Sequence, residues 1–326
     1  MKISGIKLRY LIIFILISCI GKSQTEQGLL PFSNKLLLNP SFAGLDKNNS
    51  VWSNFLYSAE PDNHLKHLYS VTYDTWSEAL KGGVALYFYQ GLEAGIHTNH
   101  TGAGFSLSKP IVAGDSEIIP SINLNYYLFT KQWLVYVIDE MVDKSVDPYN
   151  PPGVDFMRYH MLNPRLGLLL NSPHMFIGTS VSYSQKNHFV QQNNLQNNHP
   201  FHFLFHAAKK INGNENGLLF RPFKSSPEAV VVYSDHLLLS RVGIRMEQVD
   251  RMLGFFVSNN FTEKHHGISG IYGWRLENFK IALTLGGAYS IPAHQTMYFG
   301  ELSLGLVIPY KIFDEENPWA PPIIPN

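Results

Sequence analysis

The sequence predicts an all-β protein, a closed antiparallel outer-membrane β-barrel of about fourteen strands that follows an N-terminal plug or cap segment. Three observations support this prediction. The end of the chain alternates between apolar residues and polar or small ones over segments of strand length. Comparable segments recur through the rest of the chain, with hairpin-sized connections between them. The N-terminus has the layout of an export signal.

Two segments near the end of the chain, 278–289 and 298–310, show this alternation most clearly. In the second, Leu302 and Leu304 fall on one side and Ser303 on the other. Because successive side chains of a strand point to opposite faces, each segment has one apolar wall and one polar or small wall. About ten residues is the length that a tilted strand needs to cross a bilayer. A soluble sandwich or barrel also alternates, so the choice depends on the remaining chain.

The composition favours a membrane barrel over a cytosolic domain. Of 326 residues only 15% are charged, against a usual quarter or so, and 13% are aromatic. A barrel needs few charges because its outer wall faces lipid. Beyond the N-terminus no apolar run approaches the ~18 to 20 residues of a membrane helix, so the chain would cross as strands in a closed sheet. The formal net charge of +0 gives no electrostatic reason to expect nucleic acid as a partner.

Residues 1–23 are predicted to be a signal peptide. Its positive n-region consists of Lys2, Lys7 and Arg9. Residues 11–20 form a short apolar core, too short for a transmembrane helix. Ser23 is the expected position before the cut and Gln24 the new start. The predicted location is therefore the outer membrane, after export.

Cys19 is the one cysteine of the chain and falls inside this signal. The preceding residues, Leu-Ile-Ser, resemble a lipoprotein cleavage box, in which the cysteine would carry lipid. The alternative, which we favour, is a cysteine that is discarded with the signal, because a barrel does not need a lipid anchor. In either case the mature chain has no disulfide to form.

The next segment, residues 24–50, is predicted to plug or cap the start of the fold. Its core, residues 29–44, has no strand pattern, and Pro31, Pro40 and Gly44 bracket a short apolar turn or helix.

Residues 38–44, LNPSFAG, lie just behind the export signal and resemble the opening of the PorP/SprF family of type IX secretion membrane proteins. The resemblance implies a non-enzymatic barrel that docks or anchors partners during export and surface attachment of secreted proteins, including gliding adhesins. The implied partners are the periplasmic ring or the translocon, adhesin-type clients and outer-membrane lipid. The residues that we expect to contact partners are Asn39, Pro40, Phe42, Gly44 and Trp319. An Asn/Gln-rich middle and a proline-rich tail depart from the family pattern.

Residues 51–313 are predicted to form the barrel, with about fourteen to sixteen strand candidates. In one of them, 117–130, Ile122 and Leu124 alternate with Asn123 and Asn125. Two stretches interrupt the series and are predicted to be loops. They are 139–163, which is rich in Asp and Pro, and 187–199, which is rich in Asn and Gln.

The last strand candidate carries a second indication of export. Residues 303–310, SLGLVIPY, fit the insertion signal of outer-membrane barrels, a spaced pattern of polar, glycine, hydrophobic and aromatic residues. The remaining segment, 314–326, is predicted to be a periplasmic proline-rich tail, which would stay extended. It is either a docking tail anchored by Trp319 or an overhang without a partner.

No catalytic, cofactor-binding or metal site is predicted. His265 and His266 are expected in a surface turn, and adjacent residues of a strand are poorly spaced to share one metal ion. His202 and His206 share one strand face and are expected to line the lumen.

Glu301 is expected on the inner wall of the barrel. A carboxylate there needs a partner, and Arg245 and Arg275 are the candidates for a lumen salt bridge.

Two other functions compete with the docking barrel. One is an outer-membrane transport channel for small or apolar solutes, in which residues 36–44 would be a movable plug. The other is a membrane hydrolase. No Ser–His pairing stands out among the 14 histidines, so the sequence gives this second alternative little support.

Overall fold

Antiparallel strands make up most of the residues that can be described in this protein, for which we use a computed structural model. It describes residues 34–59, 65–93, 98–133, 155–188, 201–212, 224–234, 237–248, 250–262, 264–276, 278–292 and 294–309. The predicted signal peptide with Cys19 and the tail with Trp319 lie outside these residues.

In the described part of the chain, two short helical pieces precede the strands, an α-helix, α1 (Lys35–Leu38), and a 3₁₀ turn (Pro40–Phe42). The strands are β1 (Asn48–Ala59), β2 (Leu65–Ser77), β3 (Gly82–Glu93), β4 (Thr98–Ser108), β5 (Ile111–Ala113), β6 (Ser116–Trp133), β7 (Asp155–Asn171), β8 (Met175–Tyr183), β9 (Gln185–His188), β10 (Phe201–Lys209), β11 (Ile211–Asn212), β12 (Lys224–Ser234), β13 (Leu237–Glu247), β14 (Arg251–Asn260), β15 (His265–Leu276), β16 (Phe279–Ser290) and β17 (Gln295–Pro309).

The strands close into a ring. Each one pairs antiparallel with its neighbour in sequence, and β17 returns to β1 with Asn48 opposite Pro309 and Ala59 opposite Tyr298. β5, β9 and β11 continue β4, β8 and β10 against the same neighbours, so the described residues form a closed barrel of 14 strands. This confirms the predicted fold class.

The two faces of the wall are those that the alternation predicts. In β17 the side chain of Leu304 is 46% exposed on the outside, whereas Glu301 is 1% exposed on the inside. In β6, Ile122 and Leu124 lie outside and Asn123 and Asn125 are buried inside. The exterior therefore presents apolar groups to lipid and the interior presents small and polar groups.

The ends of the barrel differ in the length of their connections. Asn48 and Pro309 lie at the end where residues 78–81 and 172–174 form tight turns. The two longest connections, 134–154 and 189–200, join strands at the opposite end, whereas 213–223 joins β11 to β12 at the end that holds Asn48. Short turns are periplasmic and the longest loops extracellular in outer-membrane barrels, and on this basis we infer that both ends of the strand series belong to the periplasmic side.

The loop predicted at 139–163 is too long. β7 already begins at Asp155, which pairs with Trp133 at the end of β6. The Asp and Pro residues that suggested a loop are concentrated before this point, and pairing with the 18-residue β6 decides the conformation of the rest. Likewise Asn187 and His188, predicted to begin a loop, end β9.

The helical pieces that precede β1 follow from their asparagines. The side chain of Asn34 accepts a hydrogen bond from the backbone of Leu36 and caps α1. Asn39 ends α1 and caps the 3₁₀ turn, in which Pro40 takes the first position that suits its fixed φ. No helix within the described part of the chain has the length and apolar composition of a membrane-spanning helix.

Candidate functional site in the barrel lumen

Residues 34–44, which we call the plug, lie inside the barrel. Asn34, Asn39, Ser41, Phe42 and Ala43 are all buried, and Asn39 is 0% exposed. The plug lies against the inner wall and is the described part of the segment, residues 29–44, that was predicted to plug or cap the start of the fold.

Asn39 makes the densest set of contacts in the plug. Its side-chain oxygen accepts a hydrogen bond from the backbone N–H of Ser41 (2.9 Å). Its side-chain nitrogen lies 3.3 Å from the carbonyl oxygen of Leu168 and 3.1 Å from that of Thr179. The same nitrogen lies 3.0 Å from Nε2 of His206. Asn39 therefore joins the plug to β7, β8 and β10 through one amide group.

Serine hydroxyls hold the periplasmic half of the plug. Oγ of Ser41 lies 2.7 Å from Oγ of Ser121 on β6. Oγ of Ser108 on β4 donates to the carbonyl oxygen of Ala43 (2.7 Å). Such bonds matter because a carbonyl buried without a donor costs about 1–3 kcal/mol.

Polar groups also hold the helical half. Arg165 donates from Nη1 to the carbonyl oxygen of Leu37 (3.2 Å). On β1 and β2, Nδ2 of Asn34 donates to Oγ1 of Thr72 (2.8 Å) and lies 3.4 Å from Oδ1 of Asn54. The helical half of the plug is thus hydrogen-bonded to β7 and to the first two strands.

Apolar contacts connect the plug to the wall as well. The ring of Phe42 meets that of Phe176 edge to face, with centroids 5.5 Å apart, and lies 5.2 Å from the imidazole of His206. Leu36 belongs to the same cluster, which includes residues of β3, β6, β7, β8 and β10. Leu38 packs in a separate cluster with residues of β12 and β13.

A buried ion pair lies on another part of the inner wall. Nη2 of Arg245 lies 3.2 Å from Oε2 of Glu228, and both side chains are almost fully buried. The guanidinium of Arg241 lies over the ring of Phe256, 5.5 Å from its centroid, and interacts electrostatically with Glu228 and Glu301. Because burial makes unpaired charges costly, this cluster holds β12, β13 and β17 in one arrangement.

Glu301 faces the lumen, as predicted. Its Oε1 accepts hydrogen bonds from Asn54 (3.2 Å) and Ser303 (2.6 Å). Of the two predicted partners, Arg245 forms its salt bridge with Glu228, and Arg275 lies exposed at the end of β15. The carboxylate is therefore part of a hydrogen-bonded network that reaches the plug through Asn54.

The four histidines considered in the sequence fall into two groups. His206 and His202 face inward, as predicted, and His206 is buried against the plug. His265 and His266 were predicted in a turn, but they begin β15, where they pair with Asn260 and Asn259. Pairing with the end of β14 extends β15 to His265, next to the short connection between these two strands. Among the residues described, no three His, Cys, Asp or Glu side chains cluster in a way that could hold a metal ion.

Lys210 lies at the periplasmic rim, between β10 and β11. Its Nζ donates to Oδ1 of Asn171 and to the carbonyl oxygen of Ser172, both at 2.8 Å. Partial burial and, after it, the positive charge of Lys35 lower the pKa of Lys210. Lys210 thus ties the turn between β7 and β8 to β10.

Four of the five residues predicted to contact partners lie together inside the barrel. Asn39, Pro40, Phe42 and Gly44 belong to the plug and are buried against the wall. Trp319 lies outside the described residues. No pattern in the sequence indicates that His206, Ser121 and Ser108 hold the plug, although the alternation of β10 predicts that His206 lies on the inner face.

The fold and the occupied lumen define a transmembrane β-barrel of the outer-membrane type, closed by a segment of its own chain. The chain belongs to a known family of such proteins. The family model of PorP/SprF, the type IX secretion system membrane protein, matches residues 24–303. This confirms the resemblance seen in residues 38–44.

Solved barrels are similar to the chain in fold, at low sequence identity. The outer-membrane protein Omp33 of Acinetobacter baumannii is 11% identical, with a TM-score of 0.41 over 80% of this chain and 98% of that one. The β domain of the Bordetella autotransporter BrkA is 10% identical, with a TM-score of 0.39 over 81% and 99%. The porin KdgM, solved with disordered oligogalacturonate, is 9% identical, with a TM-score of 0.36 over 79% and 98%. No curated protein matches the chain in sequence.

Proposed function

We propose that this chain is a non-enzymatic docking or anchoring barrel of the type IX secretion and gliding machinery, which serves export and surface attachment of secreted proteins. The observation that carries the proposal is the occupied lumen, in which plug residues such as Asn39 and Ser41 are hydrogen-bonded to the wall. A barrel filled by its own chain leaves its rims, loops and termini for partners.

The proposed partners are the periplasmic ring or the translocon on one side and adhesin-type clients on the other, with outer-membrane lipid around the wall. Trp319, in the proline-rich tail, is the proposed periplasmic anchor. Asn39, Pro40, Phe42 and Gly44 are buried in the plug, so they would meet a partner only after the plug leaves the lumen. Their first role in this proposal is to keep the barrel closed.

A transport channel is the competing function, and conductance in a planar bilayer separates the two. We expect no steady ion conductance from the full chain, because residues 34–44 occupy the lumen. A variant lacking residues 34–44 is the comparison. Steady conductance of the full chain equal to that of the deletion variant would favour the channel.

Site-specific crosslinking in intact cells tests the docking role. A photoreactive residue replaces Trp319, and the matched control carries it at Ile308, which is exposed on the lipid face near the same end of the barrel. We expect position 319 to capture a ring or translocon protein and position 308 to capture none. If position 319 captures no such protein, the docking proposal fails.

A further inference from the structure

The side-chain amide of Asn39 is surrounded by acceptors, and its orientation is fixed by the groups around it. Its Oδ1 accepts from the backbone N–H of Ser41, which can only donate. Its Nδ2 faces the carbonyl oxygens of Leu168 and Thr179, which can only accept. Exchanging the oxygen and the nitrogen would break all three contacts. The nitrogen therefore points at the wall.

The third neighbour of this nitrogen is the imidazole of His206, and their contact determines the protonation state of that ring. Nε2 of His206 lies 3.0 Å from Nδ2 of Asn39. The amide nitrogen brings only hydrogens to this contact, so Nε2 must accept and cannot carry a proton. His206 is consequently neutral, with its proton on Nδ1, and the two N–H groups of the amide are shared among three acceptors.

Protonation of His206 would reverse this contact. Nε2 would then carry a hydrogen that points at the hydrogens of the amide, with no lone pair between them. The imidazolium would also add a buried positive charge that acts on Lys35, the charged group of the plug whose field reaches the imidazole. Both effects push the plug away from β10.

Among the described residues, no carboxylate forms a hydrogen bond or an ion pair with His206 that would offset this charge. Across β8 the register partner of His206 is Gly178, and Phe176 packs beside it. Across β12 its partner is Val230. Glu228 lies two residues further along β12 and is already paired with Arg245.

We propose that Asn39 and His206 form a proton-sensitive latch. The wall of β7, β8 and β10 is an amide-selective site that holds the plug while His206 is neutral and releases it when His206 is protonated. His206 is the residue that determines this selectivity, because it is the acceptor whose state can change.

The same geometry makes a second prediction of opposite sign. In Asn39→Asp a carboxylate oxygen replaces the amide nitrogen. It faces the carbonyl oxygens of Leu168 and Thr179, which cannot donate, and Nε2 of His206, which donates only after the ring changes tautomer or takes up a proton. The imidazolium form pairs a positive charge with the carboxylate, so the seated plug of this variant favours protonated His206. Acid should therefore release the plug of the parent chain and seat the plug of Asn39→Asp.

A thiol reporter in the plug measures both effects. The full chain carries Cys19→Ser and Ser41→Cys, which places a thiol at a position that is 0% exposed while the plug is seated. Labelling by a dithiodipyridine is followed between about pH 7.5 and pH 4, a range in which a histidine changes charge. Each rate is divided by that of Val112→Cys, which is 75% exposed, so that the intrinsic pH dependence of the reagent cancels. Slower migration of unheated protein in a gel reports any loss of the folded barrel.

We expect the relative rate of the parent to rise at least about tenfold on acidification, which corresponds to ~1.4 kcal/mol. His206→Gln, which keeps an acceptor that does not titrate, should stay slow throughout, and Asn39→Asp should be fast at neutral pH and slower in acid. An equal acid response in His206→Gln would assign the effect to another group, such as Asp74, and would overturn the latch. A parent whose rate does not change with pH would overturn it too. If His206→Gln does not fold, the sign of the Asn39→Asp response decides alone. The result does not depend on which secretion partner the barrel docks.

Discussion

Gly44 and Gly83 lie back to back where the plug turns toward β1. A Cβ atom on Gly44 would come within 2.5 Å of Cα of Gly83 and 2.8 Å of the carbonyl oxygen of Thr75. The backbone of Gly44 has a φ of +61°, and its N–H donates to Oδ2 of Asp74 (3.1 Å). Both the conformation and the space at this point exclude a side chain.

We therefore expect Gly44→Ala to unseat the plug. The left-handed conformation costs about 1–2 kcal/mol for a residue with a Cβ atom, and the backbone contact adds to that cost. The labelling rate of the Ser41→Cys reporter at neutral pH should rise at least about tenfold. Gly114→Ala is the control, because Gly114 has a φ of +63° with nothing within 4 Å of an added Cβ. Equal rates in the two variants would contradict the prediction.

Phe42 should be the main apolar anchor of the plug. Its side chain is 8% exposed and packs against Phe176 and His206. Truncation of a buried Phe costs about 3–5 kcal/mol, so Phe42→Ala should raise reporter labelling by at least about a hundredfold. Phe261→Ala, at a side chain that is 54% exposed in a turn, should leave the rate unchanged. A slow rate in Phe42→Ala would show that the hydrogen bonds alone seat the plug.

The ion pair of Glu228 and Arg245 makes a prediction about the stability of the barrel. Removing one partner leaves an uncompensated buried charge, so Glu228→Gln should lower the free energy of unfolding by about 3–5 kcal/mol. The double variant Glu228→Leu, Arg245→Met should recover part of this loss. The measurement is the urea midpoint of the folded barrel. Arg251→Met removes an exposed ion pair with Asp250 and should cost less than about 1 kcal/mol. If Glu228→Gln is as stable as the parent, water in this part of the lumen must solvate the charge of Arg245.

The lipid-facing wall can be tested at Leu304, which is exposed on the outer face of β17. Leu304→Arg should destabilise the inserted barrel by about 2–4 kcal/mol if the position is near the bilayer midplane. Leu304→Phe changes the same side chain but keeps it apolar, and we expect it to cost little. Unfolding in lipid vesicles gives both values. Equal stabilities would mean that this face is not in contact with lipid.

Structural features that depend on neighbouring residues in the sequence could be predicted, whereas features that depend on distant residues could not. The alternation of Ile122 with Asn123, and of Leu304 with Ser303, is a local property of the strand, and it assigned both residues of each pair to the correct face. The exact ends of strands depend on their neighbours. The start of β7 at Asp155 and the position of His265 in β15 were predicted wrongly for this reason.

The plug shows the same limit. The residue types of 29–44 indicated a turn or helix that plugs the barrel, and residues 38–44 indicated the family. Nothing in the local sequence shows that Asn39 meets His206, because 167 positions separate them. Register and closure of the barrel bring the two residues together. The alternation of β10 predicts that His206 lies on the inner face, but no local pattern predicts that Asn39 is its partner.

One consequence concerns the order of assembly. Asn39 emerges from the ribosome before every strand, yet its contacts lie on β7, β8 and β10. The plug is synthesised early, but Asn39 cannot complete its hydrogen bonds until more than half of the polypeptide, up to β10, has been synthesised. In a chain truncated after β6, the side-chain amide of Asn39 would therefore have none of its partners on the wall. A seated plug shows that β7, β8 and β10 have already folded into the barrel.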